Sequence, residues 1–456
     1  MEKKLTKKDY VFLASMLFGL FFGAGNLIFP VSMGQQAGSA MWPAVIGFCL
    51  TGVGLPLFGI TAMGISKSEG LLDMSSKVSR GFGYFFTCTL YLCIGPLFAI
   101  PRTATVSFSV GVLPMISDKY QTVALFVFTL LFFAAVLFFS LRPSGILTWV
   151  GKVLNPIFLV LLGILMIMAL IHPMSQVSAS APVAGYADQS FFTGFLEGYN
   201  TMDALASLAF GIILINVIRG LGVKDPKQIS LGTMKAGFFS TLIMAVIYCS
   251  LTVVGAQSRA VYGISADGGV ALNAIATHYF GNFGGILLGI MITLACLKTS
   301  IGLVTSCSTT FTELFPKKCS YKVYAILFTL FSFAIGNVGL SRIITYSLPV
   351  LMFLYPLTIA LILLCLFGRL FHYRRCVFQC TMITTGCAAF LDFFNALPDA
   401  VHNVLPFSGA VKKVSMMLPF ADIGMGWIVP CVIGLVIGLV IMVIRRDNGE
   451  NNQVNA

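Results

Sequence analysis

The chain has 456 residues, of which 58% are hydrophobic and only 10% charged. A soluble domain carries about 25% charged residues, so this composition, with a mean hydropathy of +0.95, excludes a water-solvated surface and describes a polytopic membrane protein. The formal charge of +12 then belongs to loops between spans, and nucleic-acid binding is a poor reading of it.

Apolar windows long enough to cross hydrocarbon fall near 10–36, 41–66, 81–112, 122–140, 145–171, 191–218, 236–257, 282–312, 322–337, 343–368, 377–396 and 424–444. The expected fold class is an all-α bundle of about twelve transmembrane helices. Residues 11–30 follow a basic start, yet the run outlasts the apolar core of a secretory signal and similar stretches follow it, so it reads as an uncleaved first span. With the N-terminus inside, the cytoplasmic face collects 21 Lys and Arg against five on the outer face, leaving Arg102 and Lys298 in the membrane. Positive loops stay inside, which predicts both termini in the cytoplasm and a short disordered tail, 447–456.

The first span reads Phe18–Gly19–Leu20–Phe21–Phe22–Gly23–Ala24–Gly25–Asn26–Leu27–Ile28–Phe29–Pro30. Each Gly costs about 1 kcal/mol of helix propensity relative to Ala, so a break at mid-membrane depth is one reading. Close helix packing through Gly19 and Gly23, four residues apart, is the other.

In the third span, Gly95–Pro96–Leu97–Phe98–Ala99–Ile100–Pro101–Arg102–Thr103 carries an arginine into the outer half of the membrane. The sixth span, Gly194–Phe195–Leu196–Glu197–Gly198–Tyr199–Asn200–Thr201–Met202–Asp203, holds two carboxylates and three other polar side chains. A charge facing hydrocarbon costs at least about 2.5 kcal/mol, so these groups face protein or water. Arg102 and Glu197, both in the outer half, form either an outer gate or a static ion pair.

The interrupted first and sixth spans are five apart. A unit of five spans restarts on the opposite side of the membrane, the arrangement of an inverted repeat whose broken helices meet at a midplane binding site. Freed N–H groups at a half-helix start attract a carboxylate, and freed carbonyls a cation.

The eighth span contributes Cys296–Leu297–Lys298–Thr299–Ser300. The Thr299 and Ser300 hydroxyls either complete an oxygen cage for Na⁺, a hard cation, or bond back to their own helix carbonyls. Asp392 and Asp422, near the outer ends of the last two spans, are expected to be solvated at the interface. The twelve cysteines include no CxxC pair, which gives neither a zinc site nor a disulfide framework. The four histidines lie at span ends or in loops, and no HExxH, GxSxG or P-loop pattern occurs. The chain is therefore not read as an enzyme.

Four segments resemble the bacterial branched-chain amino-acid:cation symporters, the leucine–isoleucine–valine:cation symporter family. They are Phe22–Gly23–Ala24–Gly25–Asn26–Leu27–Ile28–Phe29–Pro30, Gly95 through Phe108, Gly198–Tyr199–Asn200–Thr201–Met202–Asp203 and Ala295–Cys296–Leu297. The resemblance implies the five-plus-five inverted-repeat fold of neurotransmitter:sodium symporters, with repeats over 1–172 and 190–370 and two additional helices over 371–446. It also implies Na⁺-coupled uptake of leucine, isoleucine and valine across the bacterial cytoplasmic membrane. By the same similarity, Gly23, Ala24, Gly25 and Asn26, with Tyr199, Asn200, Thr201, Met202 and Asp203, would hold the charged ends of the substrate. Gly19, Phe22 and Cys296 would offer carbonyls to Na⁺, and Thr299 and Ser300 hydroxyls.

One residue departs from the family pattern. A small or apolar side chain is expected where this sequence has Lys298, and an ammonium there would repel or replace Na⁺. Alternatively, Lys298, about 100° around the helix from Thr299, points away from the site or loses its proton on burial. A non-transporting membrane amino-acid sensor or scaffold, or a transporter of the same fold coupled to another cation, is the competing function. The absence of any attached signalling domain favours transport.

Overall fold

A computed structural model describes residues 5–141, 146–223, 225–398, 401 and 408–447. The polar tail from 448 onward lies outside the described residues, as do Lys3, Lys4, Arg142 and Lys224 of the charge count. The helices are α1 (Lys7–Phe21), α2 (Gly25–Ala37), α3 (Met41–Cys49), α4 (Leu55–Ile65), α5 (Leu71–Ser76), α6 (Arg80–Leu92), α7 (Ala99–Gly111), α8 (Gln121–Leu141) and α9 (Ile146–Ile171). They continue with α10 (Tyr186–Glu197), α11 (Asp203–Gly220), α12 (Pro226–Tyr262), α13 (Gly268–Leu314), α14 (Tyr321–Gly336), α15 (Leu340–Leu366), α16 (Arg375–Asn395), α17 (Ser408–Ser415) and α18 (Ile428–Asp447).

Apolar side chains on every face need no aqueous contact, and a helix satisfies its own backbone, so such segments form helices in lipid. Among the described residues, eight helical stretches are long and apolar enough to cross a membrane, and three shorter apolar helices accompany them. Asp118–Leu141 buries only 22% of its most apolar window, whereas Leu340–Leu366 buries 78%. α8 therefore stands at the lipid-facing rim and α15 in the centre.

Helix boundaries depart from the hydropathy windows where backbone chemistry intervenes. The window 282–312 misses a preceding helical stretch because Gly281, with φ +63°, turns the chain inside α13. The third window divides at Gly95, whose φ −101° and ψ −123° are not helical, next to Pro96. Gly38, with φ +50°, redirects the chain between α2 and α3, and Thr6 and Asp9 cap the start of α1 reciprocally.

Close crossings hold the two halves of the chain together. α2 packs along α12, α3 along α10, α4 along α11 and α7 along α13. A Cβ at Gly34 would overlap the Thr252 carbonyl, and one at Gly255 the Val31 carbonyl; Gly47 and Gly194 approach Phe191 and Ala44 in the same way. Lipid gives helices no hydrophobic reason to associate, so backbone proximity through small residues supplies the contact. At the far side, α16 packs between α15 and α18.

Candidate functional site

The chain leaves helical geometry twice at the bundle centre. α1 ends on Phe22, which is extended (φ −72°, ψ 102°) and donates its N–H to Phe18 O at 2.7 Å. α2 begins at Gly25 without a side-chain cap. Gly23 N–H instead donates to Asn26 Oδ1 at 2.9 Å, and Leu27 N–H to Ala24 O at 3.3 Å. The first amides of a helix have no intrahelical acceptor, so the start of α2 carries partial positive charge.

The second departure lies between α10 and α11. Gly198–Thr201 forms a tight 3₁₀ turn, and Met202 follows in the left-handed region (φ 61°, ψ 13°). This conformation costs a non-glycine residue on the order of 1–2 kcal/mol, and its surroundings hold it, because Met202 is fully enclosed. Thr201 Oγ1 donates to Gly198 O at 2.9 Å and accepts Asp203 N–H at 3.3 Å.

One carboxylate clasps the two departures together. Asn26 Nδ2 donates to Asp203 Oδ2 at 2.6 Å, and Tyr248 Oη on α12 donates to the same oxygen at 2.9 Å. Asn26 Nδ2 also donates to Tyr248 Oη. Asn26, Asp203 and Tyr248 are 2%, 2% and 0% exposed, so these bonds form without competing water and each orphaned partner would be expensive. Both of these bonds to Asp203 end on Oδ2.

Beside the clasp is a small cavity of about 50 Å³. Leu20, Phe21, Ile94, Ala206, Phe210 and Leu303 give it an apolar wall, and Arg102, Thr103, Thr201, Asp203 and Thr299 supply polar groups. It adjoins a vestibule of about 900 Å³, with which it shares Leu20, Phe210, Thr299 and Leu303. Charged residues line the vestibule: Glu69, Asp73, Arg219, Lys298 and Glu313.

The residues singled out in the sequence divide around these spaces. Gly23, Ala24, Gly25, Asn26, Thr201, Met202 and Asp203 stand on the cavity wall. Tyr199 and Asn200 do not: Tyr199 stacks on Tyr355 of α15 at 4.0 Å between ring centroids, and Asn200 Nδ2 donates to Glu197 Oε2 at 3.3 Å. Gly19 and Thr299 face the vestibule, while Phe22, Cys296 and Ser300 are buried. Thr299 Oγ1 donates to Ala295 O at 3.1 Å, the own-helix bond, whereas the Ser300 hydroxyl pairs with Thr103 Oγ1 on α7. A Cβ at Gly23 would stand 3.6 Å from Thr299 Cγ2, so the first break and α13 meet here.

Lys298 lines the vestibule and not the smaller cavity. Among the described residues, no hydrogen bond or ion pair joins Arg102 to Glu197; Arg102 lies 3% exposed on the cavity wall, its Cζ 5.0 Å from the Phe29 ring centroid. Interfacial solvation fails for Asp392, which α16 turns inward against its neighbours so that it is 3% exposed. Asp422 is exposed. Tyr248 and Thr103 emerge only in the structure. A single Tyr or Thr in an apolar span carries no local signal of a partner hundreds of residues away.

Comparison with known proteins agrees with this architecture. A family model described as "Branched-chain amino acid transport protein" matches residues 6–445. The branched-chain amino acid permease BrnQ of Lactobacillus delbrueckii subsp. lactis is 51% identical over 431 residues, covering 94% of this chain and 96% of that one. BrnQ of Bacillus subtilis (strain 168) is 42% identical, covering 98% and 99%. Among solved structures, the inward-facing conformation of Mhp1 superposes with a TM-score of 0.61 at 12% identity, covering 98% of this chain and 96% of that one. Mhp1 in a closed conformation with bromovinylhydantoin bound, a nucleobase-cation-symport-1 family transporter, gives 0.57 at 14% identity, covering 96% and 92%. These likenesses establish a shared transporter fold, and the relatives are named permeases and carriers, not enzymes. With the family description spanning residues 6–445 and relatives this similar along nearly the whole length, the chain belongs to the branched-chain amino acid transport protein family.

Proposed function

We propose that the protein imports leucine, isoleucine and valine by Na⁺ symport, alternating access to one central site. The observation that carries this reading is the Asn26–Asp203–Tyr248 clasp, which ties two non-helical segments together beside a cavity with an apolar wall and polar groups. An apolar wall suits an aliphatic side chain, and a missing methylene costs only about 1–3 kcal/mol, so the three substrates compete with one another. Gly23, Ala24, Gly25 and Asn26 with Thr201, Met202 and Asp203 form the substrate site, and Tyr199 and Asn200 support it from behind.

The packing supports a five-plus-five inverted repeat over 1–172 and 190–370. α1 and α2, the halves of the first span, both lie against α12, the seventh; α10 and α11, the halves of the sixth, lie against α3 and α4, the second. Exchanging the repeats exchanges these contacts, as a two-fold axis in the membrane plane requires. Counted this way the chain has twelve spans, and α16 and α18 are the two additional helices. The Lys and Arg bias puts both termini in the cytoplasm of a bacterium. Glu69, Asp73, Arg219 and Glu313 then fall on the cytoplasmic side, and the vestibule makes this conformation inward-open.

Na⁺ is taken as cargo by carbonyls of Gly19, Phe22 and Cys296 and hydroxyls of Thr299 and Ser300. The contact between Gly23 and Thr299 supports that location, because ligands from both the first break and α13 are within reach. Leucine uptake by proteoliposomes under Na⁺, Li⁺, K⁺ or proton gradients tests the coupling. Na⁺ alone should drive accumulation; equal uptake under a K⁺ gradient would rule out Na⁺ symport.

A further inference from the structure

Arg102 is a cation enclosed in the bundle without a hydrogen-bonded anion among the described residues. Its side chain is 3% exposed, and its Nη1 atom is buried without a hydrogen-bond partner. Among the described residues the guanidinium makes neither a hydrogen bond nor an ion pair, and its Cζ lies 5.0 Å from the Phe29 ring centroid. A ring quadrupole attracts a cation but accepts none of its five directed N–H bonds. A buried guanidinium is tolerated when an anion completes it.

Its place in the cavity says where that anion sits. A Cβ built on Gly25 would lie 3.5 Å from Arg102 Nη2, so the guanidinium stands directly beside the uncapped start of α2. The half-helix amides and the guanidinium therefore direct positive charge at one point, and planar bidentate donors match a carboxylate. Asp203 shares the cavity wall with Arg102, but Asn26 and Tyr248 hold its Oδ2, and among the described residues no hydrogen bond or ion pair joins it to the guanidinium.

On the reading of the protein as an amino-acid transporter, we propose that Arg102 is the specificity-determining residue that binds the substrate carboxylate, together with the N-terminus of α2. Asp203 Oδ1 receives the α-ammonium group. The clasp keeps the two protein charges apart, and a zwitterion bridges them. The ligand class is thus α-amino acids with a free carboxylate, and an amine with the same aliphatic side chain is a poor substitute.

The test compares leucine with leucinamide, which keeps the ammonium and side chain but lacks the carboxylate charge. In titrations of the purified full chain, leucinamide should bind about 10- to 100-fold more weakly than leucine, the loss of charge-assisted hydrogen bonds. Arg102→Gln should weaken leucine by a similar factor and leave leucinamide unchanged, erasing the discrimination; Arg102→Lys should restore part of it. Equal weakening of both ligands by Arg102→Gln would make the residue structural and overturn the proposal. If that variant does not fold, the parent decides alone, since leucinamide binding as tightly as leucine overturns carboxylate recognition. A parent that binds neither ligand refutes the transporter reading itself, and this assignment with it.

Discussion

Asn26 Nδ2 and Asp203 Oδ2 meet at 2.6 Å although 177 positions separate them in the chain. The same asparagine accepts Gly23 N–H through Oδ1, so one side chain both spans the first break and ties it to the second. Movement of either half-helix must therefore be felt at the other.

Asn26→Ala should lower leucine uptake by at least about 10-fold, since a lost bond to a buried charge is worth about 1.5–3 kcal/mol. The variant should also melt earlier in detergent. Uptake and stability both at parent values would show that the clasp is dispensable.

Gly25 allows a graded test, because a Cβ there would meet Phe29 ring carbons at 3.1 and 3.3 Å and Arg102 Nη2 at 3.5 Å. Gly25→Ala needs the Phe29 ring to shift by tenths of an ångström and should retain reduced uptake. Gly25→Leu should abolish uptake with the protein still inserted, since its side chain fills the cavity. Near-normal transport by Gly25→Leu would mean that substrate does not approach this backbone.

The cation ligands predict a Na⁺ phenotype. Thr299→Ala with Ser300→Ala removes two hydroxyls, after which half-maximal uptake should need much more Na⁺, and leucine affinity at low Na⁺ should fall by the reciprocity of coupled binding. An unchanged Na⁺ response would leave the hydroxyls with only the Ala295 and Thr103 partners they show here.

Lys298 lines the wide vestibule and not the smaller cavity. Lys298→Thr should leave the half-saturating Na⁺ concentration close to that of the parent. A strong new Na⁺ requirement in this variant would place the ammonium in the cation site.

Much of this was legible in the sequence, and the remainder has a physical reason for being hidden. Composition alone identified a membrane bundle, and the quoted segments pointed to the family because they are contiguous. Asn26, Thr201 and Asp203 stood out as polar groups in apolar stretches, where hydrocarbon would penalise them. Tyr248 did not stand out, because an amphipathic ring in a long helix is unremarkable until Asp203 is seen beside it. Asp392 was misjudged for the converse reason: hydropathy gives depth along a helix, whereas packing of α16 between α15 and α18 decides which face is buried. The Ser300–Thr103 pair joins two helices far apart in sequence, and no local periodicity encodes such a contact.

Counterflow in proteoliposomes separates transport from binding. Vesicles carrying the purified protein and loaded with unlabelled leucine should transiently concentrate external labelled leucine, and external isoleucine or valine should suppress the signal. Saturable leucine binding by the same preparation without any counterflow would contradict transport and leave a binding protein on a transporter fold.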